Sequence, residues 1–158
     1  MSHVEALRHS SSSLGARLLP LAVEASWHTM KFSSTEKLLA SSPGETLQDF
    51  DVGLGKALLA MHRQDSDEFV AIISSLRDMA AKGLTMSTTT SSRSCHKAML
   101  QLHALYEVEW LSKFSSADQQ EQNAVPETLD RRLNVLGPFT SDKQYLLGLR
   151  RATMQLCR

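Results

Sequence analysis

No part of the 158-residue chain alternates apolar and polar residues over the length of a strand, and no run of about 18 apolar residues occurs. The first absence excludes sheet architectures and the second excludes a membrane-spanning helix. Cysteine is almost missing: Cys95 and Cys157 are too few and too far apart for a disulfide framework or a zinc knuckle, and are expected to be reduced thiols in helices. An excess of either charge is missing too, with 17 Lys plus Arg against 17 Asp plus Glu. That balance removes the electrostatic basis for a dedicated nucleic-acid or acidic-lipid binder, so protein partners are expected, with no direct nucleic acid and no membrane. Residues 1–17 lack the apolar core of a secretory signal, and Glu5 with a weak apolar face argues against a transit peptide.

What remains is ordinary for a globular chain, 42% hydrophobic and 22% charged, long enough for one compact domain. Residues 1–13 read as a disordered lead-in, because Ser10 to Ser13 bury nothing. Leu18, Leu19, Leu21, Ala22, Ala25, Trp27 and Met30 then predict a helix to about Phe32, with Pro20 near its first turn or interrupting it. Ser33-Ser34-Thr35-Glu36 can cap a short second helix, stopped by Ser41-Ser42-Pro43-Gly44. A third runs from Leu47 to His62 despite Gly53 and Gly55. Each interior glycine costs about 1 kcal/mol relative to Ala, so both are expected where a neighbouring helix approaches closely.

Asp65 and Ser66 supply the next N-cap and Gly83 a C-cap. The Ser/Thr-rich stretch 84–94 reads as a loop. In 94–112 the residues Ala98, Met99, Leu102, Leu105, Tyr106 and Trp110 form a helical stripe that needs neighbours to pack on. Polar residues at 115–125 suggest a second loop, Pro126 the start of a helix closed by Gly137-Pro138, and Ser141 or Asp142 the cap of a last helix to Cys157. The count is six or seven helices in an all-α fold. Pairs recur about every 35 to 45 residues, the range of tetratricopeptide-like hairpin repeats in an α-solenoid segment. A closed helical bundle is the rival arrangement.

Candidate chemistry is sparse. His96, His103 and Glu107 share one side of the 94–112 helix, a geometry a metal could use, but a third histidine and a His-Glu-x-x-His pattern are missing. Gly53-x-Gly55 lacks the third glycine and preceding strand of a dinucleotide fingerprint. Cys95 and His96 are adjacent and point about 100° apart on a helix. The double arginines Arg131-Arg132 and Arg150-Arg151 could grip a phosphate or a carboxylate, or join helices. Hence no catalytic, cofactor-binding or metal-ligating residue is expected, and no cofactor.

Four segments carry a family resemblance. They are Glu24-Ala25-Ser26-Trp27 with Phe32 downstream, the run from Val52 through Gly53-Leu54-Gly55 to Ala60 followed by Asp65 and Phe69, the run Leu102-His103-Ala104-Leu105-Tyr106-Glu107-Val108-Glu109, and Leu133 followed by Leu147-Gly148-Leu149-Arg150-Arg151-Ala152. In that order they resemble the FAT domain of ATR-type checkpoint kinases, which are phosphatidylinositol-3-kinase-related Ser/Thr protein kinases. Phe32 stands where the family usually has a second Trp. The resemblance implies a FAT-type helical-repeat segment over 14–158, with Trp27, Leu54, Ala57, Leu58, Phe69, Leu102, Leu105, Tyr106, Leu133 and Leu149 as packing residues.

It also implies a non-catalytic scaffold within a large nuclear kinase of the DNA-damage response, holding the kinase domain and protein partners. A kinase nucleotide loop, a His-Arg-Asp loop and an Asp-Phe-Gly are all missing, so the chain itself is not expected to be an enzyme. A fragment, a mis-split gene product or a truncated relative would account for that. The alternative is a freestanding tetratricopeptide-like adapter holding a peptide in a groove. Met154 and Leu156 near the end, with no capping repeat after them, lead to the expectation that the isolated chain self-associates.

Overall fold

The computed structural model describes residues 12–41, 49–87, 91–114 and 119–157. Every regular element among them is an α-helix: α1 Ser12–His28, α2 Phe32–Ala40, α3 Phe50–His62, α4 Ser66–Ser87, α5 Ser92–Phe114, α6 Gln119–Val135 and α7 Thr140–Leu156. The chain divides into two compact units, Met1–Ala80 and Ala81–Arg158, with the division inside α4. Neighbouring helices pack as pairs in each unit, α1 with α2 and α3 in the first, α5 with α7 in the second.

In the first unit α3 is the central element, because nine of its thirteen residues are buried. Its start is fixed by Asp49, whose carboxylate accepts from the amides of Asp51 at 2.8 Å and Val52 at 3.4 Å, satisfying donors that a helix end otherwise leaves orphaned. Against it α1 sets Leu19, Val23 and Trp27, α2 sets Phe32 and Leu38, and α4 sets Leu76 beside Gly53; Phe69 and Ile73 of α4 are buried as well. The Phe32 ring stacks on His62 with centroids 4.7 Å apart. Two buried hydroxyls tie α1 to α2: Ser26 Oγ and Thr35 Oγ1 are 2.7 Å apart, and Ser26 also donates to the Val23 carbonyl. Burial of these hydroxyls is tolerable because each is hydrogen-bonded.

The glycines of α3 sit where close approach requires them. A Cβ on Gly53 would come within 2.5 Å of Leu76 Cδ2 in α4, and one on Gly55 would fall closer still to Val23 Cγ1 in α1.

In the second unit Ala98, Ala104, Leu105, Val108 and Leu111 of α5 face Leu146, Leu149 and Ala152 of α7, all buried, with Leu129 of α6 against Leu111 and Trp110. The stripe read from the sequence is turned relative to this face. Ala98 and Leu105 are buried, whereas Met99 is 50% and Tyr106 48% exposed. Tyr106 is therefore not a core residue. Helix α5 presents Ala104, Glu107, Val108 and Leu111 inward instead, a face that counts as apolar only once the charge of Glu107 is neutralised.

Several helix ends differ from their expected places. Ser12 and Ser13 already belong to α1, while the rest of the expected lead-in lies outside the described residues. Helix α2 begins at Phe32 with Lys31 in the capping position and no side-chain cap, because burial of Phe32 and Thr35 draws the first turn into the core ahead of the Ser-Ser-Thr-Glu signal. Gly83 does not end α4, which continues to Ser87, and α5 resumes at Ser92, so helix takes most of the expected 84–94 loop; 88–90 lie outside the described residues. The expected loop at 115–125 is helical from Gln119 onward and Pro126 falls inside α6, since Gln, Glu and Ala favour helix as well as solvent. Residues 115–118 are not among those described. Gly137, with φ +67°, makes the turn after α6, a left-handed conformation that glycine adopts without strain.

Substituting each α3 glycine by Ala separates the two contacts. Leu76 Cδ2 is the tip of a flexible side chain and can rotate away, whereas Val23 is β-branched, stiff and fully buried. Gly55→Ala should therefore destabilise the chain by about 1–3 kcal/mol more than Gly53→Ala in urea unfolding, the helix-propensity gain being common to both.

Candidate functional site

Glu107 is 1% exposed on the inward face of α5. An ionised carboxylate in that position costs several kcal/mol unless it is paired and hydrogen-bonded. Arg150 of α7, also buried, supplies a two-pronged partner: Nε donates to Oε2 at 2.6 Å and Nη2 to Oε1 at 2.8 Å. The flat guanidinium matches the flat carboxylate, which is the reason arginine rather than lysine suits such a place. Arg150 Nη2 also donates to the Leu129 carbonyl of α6 at 3.0 Å. One side chain thus joins three helices.

A second arginine completes the cluster from α6. Arg132 Nε donates to Glu107 Oε1 at 3.3 Å, and its guanidinium carbon lies 4.0 Å from the centre of the Tyr106 ring, a cation–π contact. Arg132 Nη2 is 3.1 Å from His103 Nδ1. A guanidinium only donates, so Nδ1 accepts and the ring carries its proton on Nε2. Burial and the Arg132 charge push the His103 pKa down, and Glu107 opposes them. The histidine is a neutral acceptor.

His96, grouped with His103 and Glu107 from spacing, is engaged elsewhere. Its Nε2 lies 2.6 Å from Asp142 Oδ2 in the first turn of α7, beside the Phe139 ring. Asp142 thereby bridges helices rather than capping α7, whose N-cap residue is Phe139. Among the described residues no cluster of three or more His, Cys, Asp or Glu could hold a metal. Arg131 pairs with Glu127 on the surface. Both cysteines are free thiols, and burial raises the Cys157 pKa, which works against a thiolate.

Of the packing residues named from the sequence, Trp27, Leu54, Ala57, Leu58, Phe69, Leu105 and Leu149 are buried, and Leu102 and Leu133 are half-buried. Glu107 was not among them. The signal for it is a charge inside an apolar stripe on each of two helices: Glu107 among Ala104, Val108 and Leu111, Arg150 among Leu146, Leu149 and Thr153. The cluster holds no activated nucleophile, and its carboxylate is taken up by two guanidinium groups. What it can do is fasten helices.

The FAT domain family matches residues 19–157. This chain belongs to that family. Its FAT segment is 26% identical over 136 residues to protein kinase rad3 of Schizosaccharomyces pombe, an alignment covering 84% of this chain and 5% of that protein. The chain therefore spans about a twentieth of the length of the curated relative it matches. No solved structure matches. Glu107 and Arg150 stand in two of the segments that carry the FAT resemblance, so the buried pair joins distant pieces of the FAT pattern.

Removing one member of a buried pair leaves the other charge uncompensated. Arg150→Met should cost about 3–5 kcal/mol in urea unfolding, and the double variant Glu107→Met with Arg150→Met less than the sum of the singles. Arg132→Met, at a partly solvated position, should cost less than Arg150→Met.

His103 adds a pH dependence of known sign. With its folded pKa below the ordinary 6.5, the unfolded chain binds the proton more readily, so the stability from a neutral His103 is full above about pH 6.5 and is lost as pH falls through the folded value. His103→Asn should flatten the fall in unfolding free energy between about pH 7 and pH 5.

Proposed function

We propose that the chain is a non-catalytic helical scaffold segment of an ATR-like Ser/Thr checkpoint kinase, acting in DNA-damage signalling in the nucleus. Its task is to support the kinase domain and the protein partners of the parent chain. The observation that carries this reading is the FAT match along residues 19–157, shared with a relative named as a protein kinase. Phosphoryl transfer belongs to a kinase domain elsewhere in the parent polypeptide.

The geometry supports a mechanical role. The most deeply buried charges are spent on each other across α5, α6 and α7, which resists sliding of one helix on the next. Leu147 and Met154 on α7 remain 48% and 39% exposed, apolar surface suited to being covered by a partner or by a further part of a kinase chain.

Tagging the gene at its native locus and sizing the product tests this directly. The expected product is a polypeptide many times larger than 17.5 kDa whose immunoprecipitate phosphorylates Ser/Thr peptides. A free 17.5 kDa species with no associated kinase would overturn the proposal and favour a freestanding adapter.

A further inference from the structure

Within the first unit, α2, α3 and α4 border an open cleft of about 350 Å³. Its wall is apolar on the side of Leu39, Ala40 and Leu59, and its rim carries Glu36, Arg63 and Glu68. Lys56, half-buried in the middle of α3, lines the same space. The charged groups divide unequally. Arg63 is in an ion pair with Glu36, whereas Lys56 feels Glu68 only through space, and no described residue makes a hydrogen bond or ion pair with its ammonium group.

We propose that Lys56 is an acylation site, taking a short acyl group from a small acyl thioester into this pocket. The free volume exceeds what a two- to four-carbon acyl chain needs, and the Leu39, Ala40 and Leu59 wall is the matching surface for it. Three surrounding charges act on the amine: Glu68 of α4 favours its protonated form, and Glu36 of α2 and Arg63 of α3 are largely spent on each other. Desolvation is the larger influence and moves the Lys56 pKa down, enlarging the fraction that carries a lone pair at neutral pH.

In the reaction the neutral amine attacks the thioester carbonyl, water takes the ammonium proton, and the carbon–sulfur bond breaks. The thiolate leaves and is protonated to the thiol as the amide forms, with no redox change. Acylation deletes one positive charge, leaving Arg63 against Glu36 and Glu68, so the site becomes net negative.

The test uses the full 158-residue chain with acetyl coenzyme A, following acetylation of each lysine by peptide mass spectrometry. Lys56 should acetylate at least about threefold faster than the mean of the exposed Lys37, Lys82 and Lys97. The preference should vanish in denaturing urea, and Glu68→Gln should increase it by removing the carboxylate that favours the ammonium form. A folded-state rate at Lys56 equal to or below that of the exposed lysines overturns the proposal. So does a preference that survives in urea, which would trace it to local sequence and not to the pocket.

Discussion

A carboxylate buried to 1% exposure is what the second half of this chain is built around. Inside a helical core Glu107 is matched by Arg150, which meets both its oxygens, and by Arg132, which meets one of them. Those demands fix more than one distance. They set the rotation of α5, which must turn Glu107 inward, the register of α7, which must bring Arg150 level with it, and the position of α6, whose Leu129 carbonyl accepts from Arg150 Nη2 as well. Apolar packing alone is non-directional and would tolerate slippage by a turn. A forked ion pair fixed at both carboxylate oxygens does not.

The two units reach definition by different physics. In the first, closeness does the work: glycines at 53 and 55 bring α3 against Leu76 of α4 and against the stiff, β-branched Val23 of α1, which has no room to yield. Among its described residues the buried hydroxyls of Ser26 and Thr35 are satisfied within one helix turn or by each other. In the second, smaller side chains such as Ala98, Ala104 and Ala152 line the seam, and charge supplies the specificity. Both are means of holding a helix pair in one arrangement, which suits a segment whose proposed task is to bear other domains.

The helices and their order were legible because leucine-rich periodicity is a strong local signal, and the glycines of α3 were legible because an unexplained cost inside a helix calls for a neighbour. Helix ends were less so. The Ser-Ser-Thr-Glu cap lost to the burial of Phe32, and the polar stretch after 118 is helical because Gln and Glu suit solvent and helix equally. The inward face of α5 was misread for one reason: Glu107 counts as polar until the arginines that neutralise it, 25 and 43 residues away, are known to be there. Long-range pairing of charge leaves no local periodicity. A stripe reading therefore favoured Tyr106, which is half exposed beneath Arg132.

The same spacing has a bearing on how the chain is made. On a ribosome α5 emerges long before Arg150, so Glu107 must wait solvated until 43 further residues have been synthesised. The contacts between α1 and α2 join residues only nine apart and close almost at once. Vectorial synthesis would thus complete the first unit early and leave the second open until its last helix arrives, with the final locking step triggered by a single arginine.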